Sequence, residues 1–289
     1  MSERVIFGDW GVSACRLWLC KNGTVLERRT GLGIKFTKDP HADFQDLTKG
    51  WDQPPALLCG TVGANIGWRD AGYVDVPATV SNIAERAVTV SGSDVRILPG
   101  VRTPSNHFGL PDVMRSEDMQ ALGWCALSGK RSARLCLPGS HTKWVEVEDG
   151  SIVNFTTGYV GELFEVLRKH STLVSADESQ GDSEAFMGGV EVGVSHPAPL
   201  SGLFHIRALA AQNLENGAVS RARLSGYLIG ADCAAMLRVW GGPPDAIVGD
   251  GAIARGYRNV LAHMGADVEL ADGEASVLSG LRRAADATS

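Results

Sequence analysis

The stretch Val5-Ile6-Phe7-Gly8-Asp9-Trp10-Gly11-Val12-Ser13-Ala14-Cys15-Arg16-Leu17-Trp18-Leu19-Cys20-Lys21-Asn22-Gly23-Thr24-Val25-Leu26-Glu27-Arg28 decides how the rest of the chain is read. Val5-Ile6-Phe7 is a short apolar strand, and Gly8-Asp9-Trp10-Gly11 turns it back. Residues 14–20 form a second strand with partial alternation of polarity. Asn22-Gly23 is a strong hairpin signal, because both residues tolerate the positive φ that a two-residue turn demands. Residues 24–28 then return as a third strand. The first thirty residues therefore predict a three-stranded antiparallel meander with a glycine-flanked Asp at its first turn.

The same plan recurs 127 positions later. Arg134-Leu135-Cys136-Leu137 is a strand, Pro138-Gly139-Ser140-His141-Thr142 a turn, and Lys143-Trp144-Val145-Glu146-Val147 the next strand. Asp149-Gly150 is the hairpin turn, and Ser151-Ile152-Val153-Asn154-Phe155 the third strand. With no gap, Arg16 falls opposite Lys143 and Gly31 opposite Gly158. Further matches follow. Residues 57–63 and 246–251 are apolar strands ending in glycine loops, and residues 95–98 pair with 267–270. Helical patterns then span 117–128 and 274–285. One such pair is within chance, but the whole order occurring twice points to duplication of an α/β unit. Residues 159–240 of the second half carry extra helical signal, broken near Pro197-Ala198-Pro199 and Asn216-Gly217. The polar segment 175–182 reads as an exposed loop.

Composition bounds the function. Thirty-three acids against 27 bases give a formal charge of −6, which lacks the basic footprint of a nucleic-acid binder. No apolar run approaches the ~18 residues of a membrane helix, and no secretory h-region follows Met1. The six cysteines have no CxxC spacing and sit mostly in apolar runs, as reduced core residues of a cytoplasmic protein do. Glycine is in excess, 35 of 289, as expected where backbone must approach something closely.

Two tandem α/β lobes, expected over 1–131 and 132–289, leave a cleft, and ligands favour the carboxyl ends of the strands. Those ends carry Gly8-Asp9-Trp10-Gly11, Gly60-Thr61-Val62-Gly63, Pro138-Gly139-Ser140-His141 and Gly249-Asp250-Gly251. Glycine turns aim backbone N–H groups at phosphate. Asp9 could reach Mg2+ directly or through water, since Mg2+ takes few carboxylates and keeps several waters. Its alternative is an Asx-turn that merely shapes the bend.

Asp9-Trp10-Gly11-Val12-Ser13 with Arg16 resembles the first phosphate loop of the sugar kinase/hsp70/actin superfamily. More closely, the chain resembles the 2-dehydro-3-deoxygalactonokinase family along nearly its whole length. The match is carried by Asp9-Trp10-Gly11, Val62-Gly63-Ala64-Asn65-Ile66-Gly67-Trp68, Met114-Arg115-Ser116-Glu117-Asp118-Met119-Gln120, Leu137-Pro138-Gly139-Ser140-His141-Thr142-Lys143-Trp144-Val145 and Leu224-Ser225-Gly226-Tyr227-Leu228-Ile229-Gly230-Ala231. The resemblance implies duplicated ribonuclease H-like (actin-like ATPase) domains. It also implies ATP and Mg2+ as cofactors, and phosphorylation of the 6-hydroxyl of 2-dehydro-3-deoxy-D-galactonate. The gluconate-derived epimer as substrate, or a non-catalytic sensor on the same fold, are the alternatives. The implied partners are ATP and a small sugar acid, with no nucleic acid or membrane, and self-association is left open.

The resemblance distributes roles residue by residue. Gly11, Ser13 and Arg16 join Asp9 at the first phosphate loop. Gly139, Ser140, His141 and Lys143 form the second, where the superfamily's usual Asp is missing and Cys136 and Pro138 stand. Gly249, Asp250 and Gly251 cradle the adenosine, while Gly226 and Gly230 admit either adenine or a neighbouring helix. Glu117 or Asp118, at a helix N-terminus, is the general base; the plainer reading is favourable helix-end charge. Arg115 could fork onto the substrate carboxylate or form a surface ion pair. Asn65 and Trp68 line the sugar pocket, unless Trp68 simply packs. Lys143 has the alternative of a solvent-facing strand position.

Two rivals fall on sequence grounds. Gly249-Asp250-Gly251-Ala252-Ile253-Ala254, with Asp272 beyond, fits a dinucleotide fingerprint. Only 17 residues follow Asp272, too few to complete a Rossmann sheet. Gly129-Lys130 is followed by Arg131, so no Walker A motif exists.

Overall fold

The computed structural model describes residues 4–174, 182–196 and 199–288. The meander is β1 (Arg4–Trp10), β2 (Ala14–Lys21) and β3 (Thr24–Leu32). Asn22 and Gly23 turn the hairpin at φ 50° and 76°. Next come α1 (Pro40–Leu47), β4 (Ala56–Cys59), β5 (Tyr73–Asp75), α2 (Val80–Glu85), β6 (Val88–Thr89) and β7 (Val95–Ile97). After β8 (Gly100–Thr103) and β9 (Asp112–Met114) comes α3 (Glu117–Ser128). The second meander is β10 (Ala133–Leu137), β11 (Thr142–Glu148) and β12 (Ser151–Gly158), with Asp149 and Gly150 at φ 48° and 80°. Four helices follow: α4 (Val160–His170), α5 (Ser183–Ser195), α6 (Pro199–Ala211) and α7 (Gly217–Trp240). The chain continues as β13 (Ala246–Val248), α8 (Gly251–His263), β14 (Glu269–Ala271) and α9 (Gly273–Asp286).

The strand orders show the duplication. One sheet runs β3-β2-β1-β4-β7-β6 and the other β12-β11-β10-β13-β14. In each, two parallel strands are added beside the first strand of the meander, and the first sheet ends in a further, antiparallel strand, β6. The pairings β1·β4, β4·β7, β10·β13 and β13·β14 are parallel. This is the duplicated ribonuclease H-like order, and the fold is of the actin-like ATPase class, as expected. The extra helical signal over 159–240 is α4 to α7. The expected loop at 175–182 lies outside the described residues except for Asp182, whose carboxylate caps α5. Pro197-Ala198 also lies outside them.

Local chemistry explains the helix ends. Asp39, Asn216 and Asp272 accept N–H groups at the starts of α1, α7 and α9. Gly129 and Gly241 end α3 and α7 in the left-handed conformation.

Compactness groups the chain into two units. The first holds Met1–Ala133, Val145–Thr156 and Asp272–Ser289; the second holds Arg134–Trp144 and Thr157–Ala271. The first unit centres on Ile6, Trp10, Leu17, Leu58, Val62 and Ile97. In it, α3 and α9 cross at glycines. A Cβ on Gly123 would lie 1.9 Å from the Ser276 carbonyl, and one on Gly280 would lie 2.2 Å from that of Met119. The second unit centres on Trp144, Leu224, Tyr227, Cys233, Ile247 and Tyr257. There, α5 and α7 touch backbone to backbone. A Cβ on Gly226 would meet the Phe186 carbonyl at 1.9 Å, and Gly230 abuts Val190. A neighbouring helix is therefore what these two glycines admit.

Candidate active site

In the first unit, Asp9 is the penultimate residue of β1, buried to 6% exposure. Antiparallel register places Arg16 of β2 directly opposite it, and the Arg16 guanidinium binds Asp9 Oδ2. Burial works against the Arg16 charge, but the adjacent carboxylate outweighs it and raises the Arg16 pKa. Asp9 Oδ1 accepts the Ser116 hydroxyl at 2.6 Å. The Cys59 thiol, at the end of β4, lies 3.6 Å from Ser116 Oγ and 4.0 Å from Asp9 Oδ1. Burial, then the Asp9 charge, push that thiol's pKa well up. It is a packing group, not a nucleophile.

The loop after Asp9 is braced from behind. The Gly11 N–H donates to the Ala14 carbonyl, and Gly11 and Val12 carbonyls accept from Ile34 and Lys35. Gly33 has no room for a side chain, since a Cβ there would lie 2.3 Å from the Val12 carbonyl. Ser13 stands exposed on this loop.

Ser116 leads directly into Glu117 and Asp118. Glu117 is half-buried, and its Oε2 accepts the Arg115 backbone N–H at 3.0 Å. Asp118 is 1% exposed. Burial and then the Glu117 charge lift its pKa to about 7, and its Oδ1 has no hydrogen-bond partner among the described residues. The Arg115 guanidinium stacks over Tyr73 at 4.4 Å and donates to the Gly72 carbonyl at 3.1 Å. Its Nη1 is buried with no hydrogen-bond partner among the described residues. These residues thus converge in one unit. Trp68 does not join them: it packs against Trp10, His41 and Phe44 with centroids 5.4–6.4 Å apart. Asn65 is exposed on the same loop.

In the second unit, the turn of Gly139 and Ser140 meets the start of α4, where the Glu162 N–H donates to the Ser140 carbonyl at 2.9 Å. His141 stacks on Tyr159 at 5.0 Å and pairs with Glu162 at 2.6 Å. Lys143 is buried at 4% exposure, so it does not face solvent; its Nζ donates to the His141 carbonyl at 3.2 Å. Cys136, at the position matching Asp9, is fully buried. Gly249, Asp250 and Gly251 open α8, and Gly249 lies beside Pro138. Beyond them, α4, α5, α7 and α8 border an open pocket of about 580 Å³ whose lining includes Phe164, Phe186, Ser225, Ile253 and Asn259.

Sequence reading missed several of these residues. Ser116 gives no signal beyond that of an ordinary helix cap. Tyr159 and Glu162 lie outside the recognised turn. Asp232 on α7 is also new: its Oδ2 accepts the Trp144 indole N–H at 2.8 Å and the Tyr257 hydroxyl at 2.7 Å. Burial raises its pKa to about 6 against those two donors.

A divalent cation can be tested against these donors. Among the described residues no group of three or more His, Cys, Asp or Glu is placed to hold a metal. Asp9 offers one carboxylate, with an oxygen on Arg16 and the other on Ser116. That donor set suits Mg2+ held through water and completed by phosphate oxygens.

The profile of a family described as 2-keto-3-deoxy-galactonokinase matches residues 9–284. A Rhizobium meliloti (strain 1021) protein named a probable 2-dehydro-3-deoxygalactonokinase is 36% identical over 297 residues, covering 96% of this chain and 95% of its own. The Escherichia coli (strain K12) 2-dehydro-3-deoxygalactonokinase is 35% identical, with 99% of each chain covered. A solved structure from Sinorhizobium meliloti, assigned as a 2-dehydro-3-deoxygalactonokinase protein, superposes with a TM-score of 0.89 at 34% identity, covering 98% of this chain and 99% of that one. Sequence, topology and these relatives agree, and the chain belongs to the 2-keto-3-deoxy-galactonokinase family.

Proposed function

We propose that this chain transfers the terminal phosphoryl group of ATP to the 6-hydroxyl of 2-dehydro-3-deoxy-D-galactonate. The observation that supports it most is the placement of Asp9, held by Arg16 and Ser116, beside the acids Glu117 and Asp118, in a member of this family. On this reading residues 1–131 serve the sugar acid and the first phosphate contacts, and residues 132–289 serve the nucleotide. Glu117 is the general base, because it is only half-buried and its Oε2 is oriented by the Arg115 N–H. Asp118, at 1% exposure, is the less accessible of the two acids.

The sugar 6-oxygen attacks the γ-phosphorus as its proton passes to Glu117, and the bond to the ADP oxygen breaks. The transition state is met chiefly by positioning and charge neutralisation. Arg16, Gly11 and Ser13 are the phosphate contacts of the first unit, and Gly139, Ser140 and His141 those of the second. Mg2+, when bound with ATP, neutralises charge on the transferring group, and Asp9 is the residue that would hold it through water. Arg115, preset by Tyr73 and Gly72, recognises the substrate carboxylate. Adenosine enters the 580 Å³ pocket beyond Gly249, Asp250 and Gly251. Lys143 supports the His141 carbonyl, and Asn65 and Trp68 shape the loop beside the sugar. All six cysteines are buried thiols, which suits a reducing, cytoplasmic setting.

The test is coupled ADP release with Mg-ATP, offering 2-dehydro-3-deoxygalactonate and 2-dehydro-3-deoxygluconate separately. A clear kcat/KM preference for the first is expected. Equal turnover of both overturns the assigned substrate, and turnover of neither overturns the activity.

A further inference from the structure

Ser116 stands where a helix cap belongs, yet it does not act as one. Ser is among the best N-cap residues because its hydroxyl can accept an N–H from the first turn. At the start of α3 no such bond forms. The hydroxyl points the other way and donates to Asp9 Oδ1 at 2.6 Å. The backbone follows suit: Ser116 has φ 91° and ψ −40°, a conformation that favours glycine and strains any residue with a Cβ. The residue is buried, with Cys59 Sγ 3.6 Å from its Oγ, so no solvent substitutes for it. Position 116 therefore gives up both a cap and a relaxed backbone; its hydroxyl gains one hydrogen bond to Asp9, and its backbone N–H another to Asp118.

We propose that Ser116 is a positioning residue: its hydroxyl sets the rotamer of Asp9, and its strained backbone ties that carboxylate to the start of the helix carrying Glu117. The inference rests on the reading of Asp9 and Glu117 given above. With Arg16 on Oδ2 and Ser116 on Oδ1, both oxygens of Asp9 are fixed before any substrate arrives. Strain retained at such a site marks a stability sacrifice made for pre-organisation.

The test separates hydroxyl from strain. Ser116→Ala removes the hydroxyl and keeps the Cβ; Ser116→Gly removes both. Both variants should lose kcat by about 10- to 100-fold, as small displacements of positioned groups do, with KM for the sugar acid within threefold of wild type. Thermal melting of the ligand-free proteins should divide the pair, with Ser116→Gly melting above Ser116→Ala and no lower than wild type. Activity would thus follow the hydroxyl while stability follows the Cβ. If kcat stays within twofold of wild type in both variants, the inference is overturned. It is also overturned if kcat and melting temperature fall together in both, which marks a structural role alone. Asp9→Asn, measured alongside, isolates the underlying reading. A near-wild-type rate there overturns the role of Asp9 and Ser116's with it, whereas a lost rate beside active Ser116 variants overturns Ser116 only.

Discussion

Two neighbouring acids at the start of α3 live in different surroundings, and environment divides their roles. Glu117 is half-buried with an N–H on its Oε2, while Asp118 is sealed in with Oδ1 unmatched among the described residues. Glu117→Gln should therefore lower kcat by about 10²–10⁴-fold, the usual worth of a positioned base, and Asp118→Asn by far less, read from steady-state rates. Asp118 instead shows itself in stability. Its folded pKa stands near 7 against an ordinary 3.8, so between those values the folded chain keeps a proton that the unfolded chain releases. Its contribution is full below pH 4, declines as pH rises through that window, and is flat above about 7. Urea melts from pH 5 to 8 should show wild type losing stability relative to Asp118→Asn, and parallel curves would refute this. The pair was legible in the sequence as acids at a helix start, but their division of labour was not, because burial is set by residues distant in the chain. Ser116 was invisible for a related reason: a serine before a helix has a commonplace explanation, and only its φ and its bond to Asp9 say otherwise.

The Asn-Gly and Asp-Gly hairpins and the helix ends were read most accurately, since they are governed by local chemistry, whereas Gly8-Asp9-Trp10, expected to turn the chain, finish β1 and pair with β2. Asn22-Gly23 and Asp149-Gly150 both adopt the positive φ values their types favour, and α3 runs over the expected residues. Packing between elements was less legible. Gly226 and Gly230 left helix and adenine open, and distances to Phe186 and Val190 decide for the helix. The same physics governs α3 on α9, where Gly123 sits against the Ser276 carbonyl. Gly123→Ala would gain helix propensity in isolation, yet here it forces two helices apart. A loss of about 1–3 kcal/mol is expected from chemical denaturation, and a stabilised variant would contradict the crossing. The buried carboxylate of Asp232 between Trp144 and Tyr257 had no sequence signal, because its donors lie 88 and 25 residues away.

At the scale of the molecule, one α/β plan was written twice, and the strand orders repeat it. The 127-residue offset held because meanders tolerate few insertions, while α4 to α7 enlarge only the second copy. What chain order did not reveal is the allegiance of α9: residues 272–289 group with the first unit, where Val277 and Leu281 are fully buried. A chain stopped at Ala271 should therefore keep the second unit's melting transition and lose or sharply lower the first's, by differential scanning calorimetry. Retention of both transitions would show that α9 is dispensable. The same allegiance bears on synthesis. Domains commonly fold in the order they leave the ribosome, but here the unit begun first needs Gly273–Asp286 to close its core, whereas the second already has every residue it needs at Ala271. The nascent chain would thus complete its second unit before its first, leaving the earliest-made strands exposed to chaperones for most of translation.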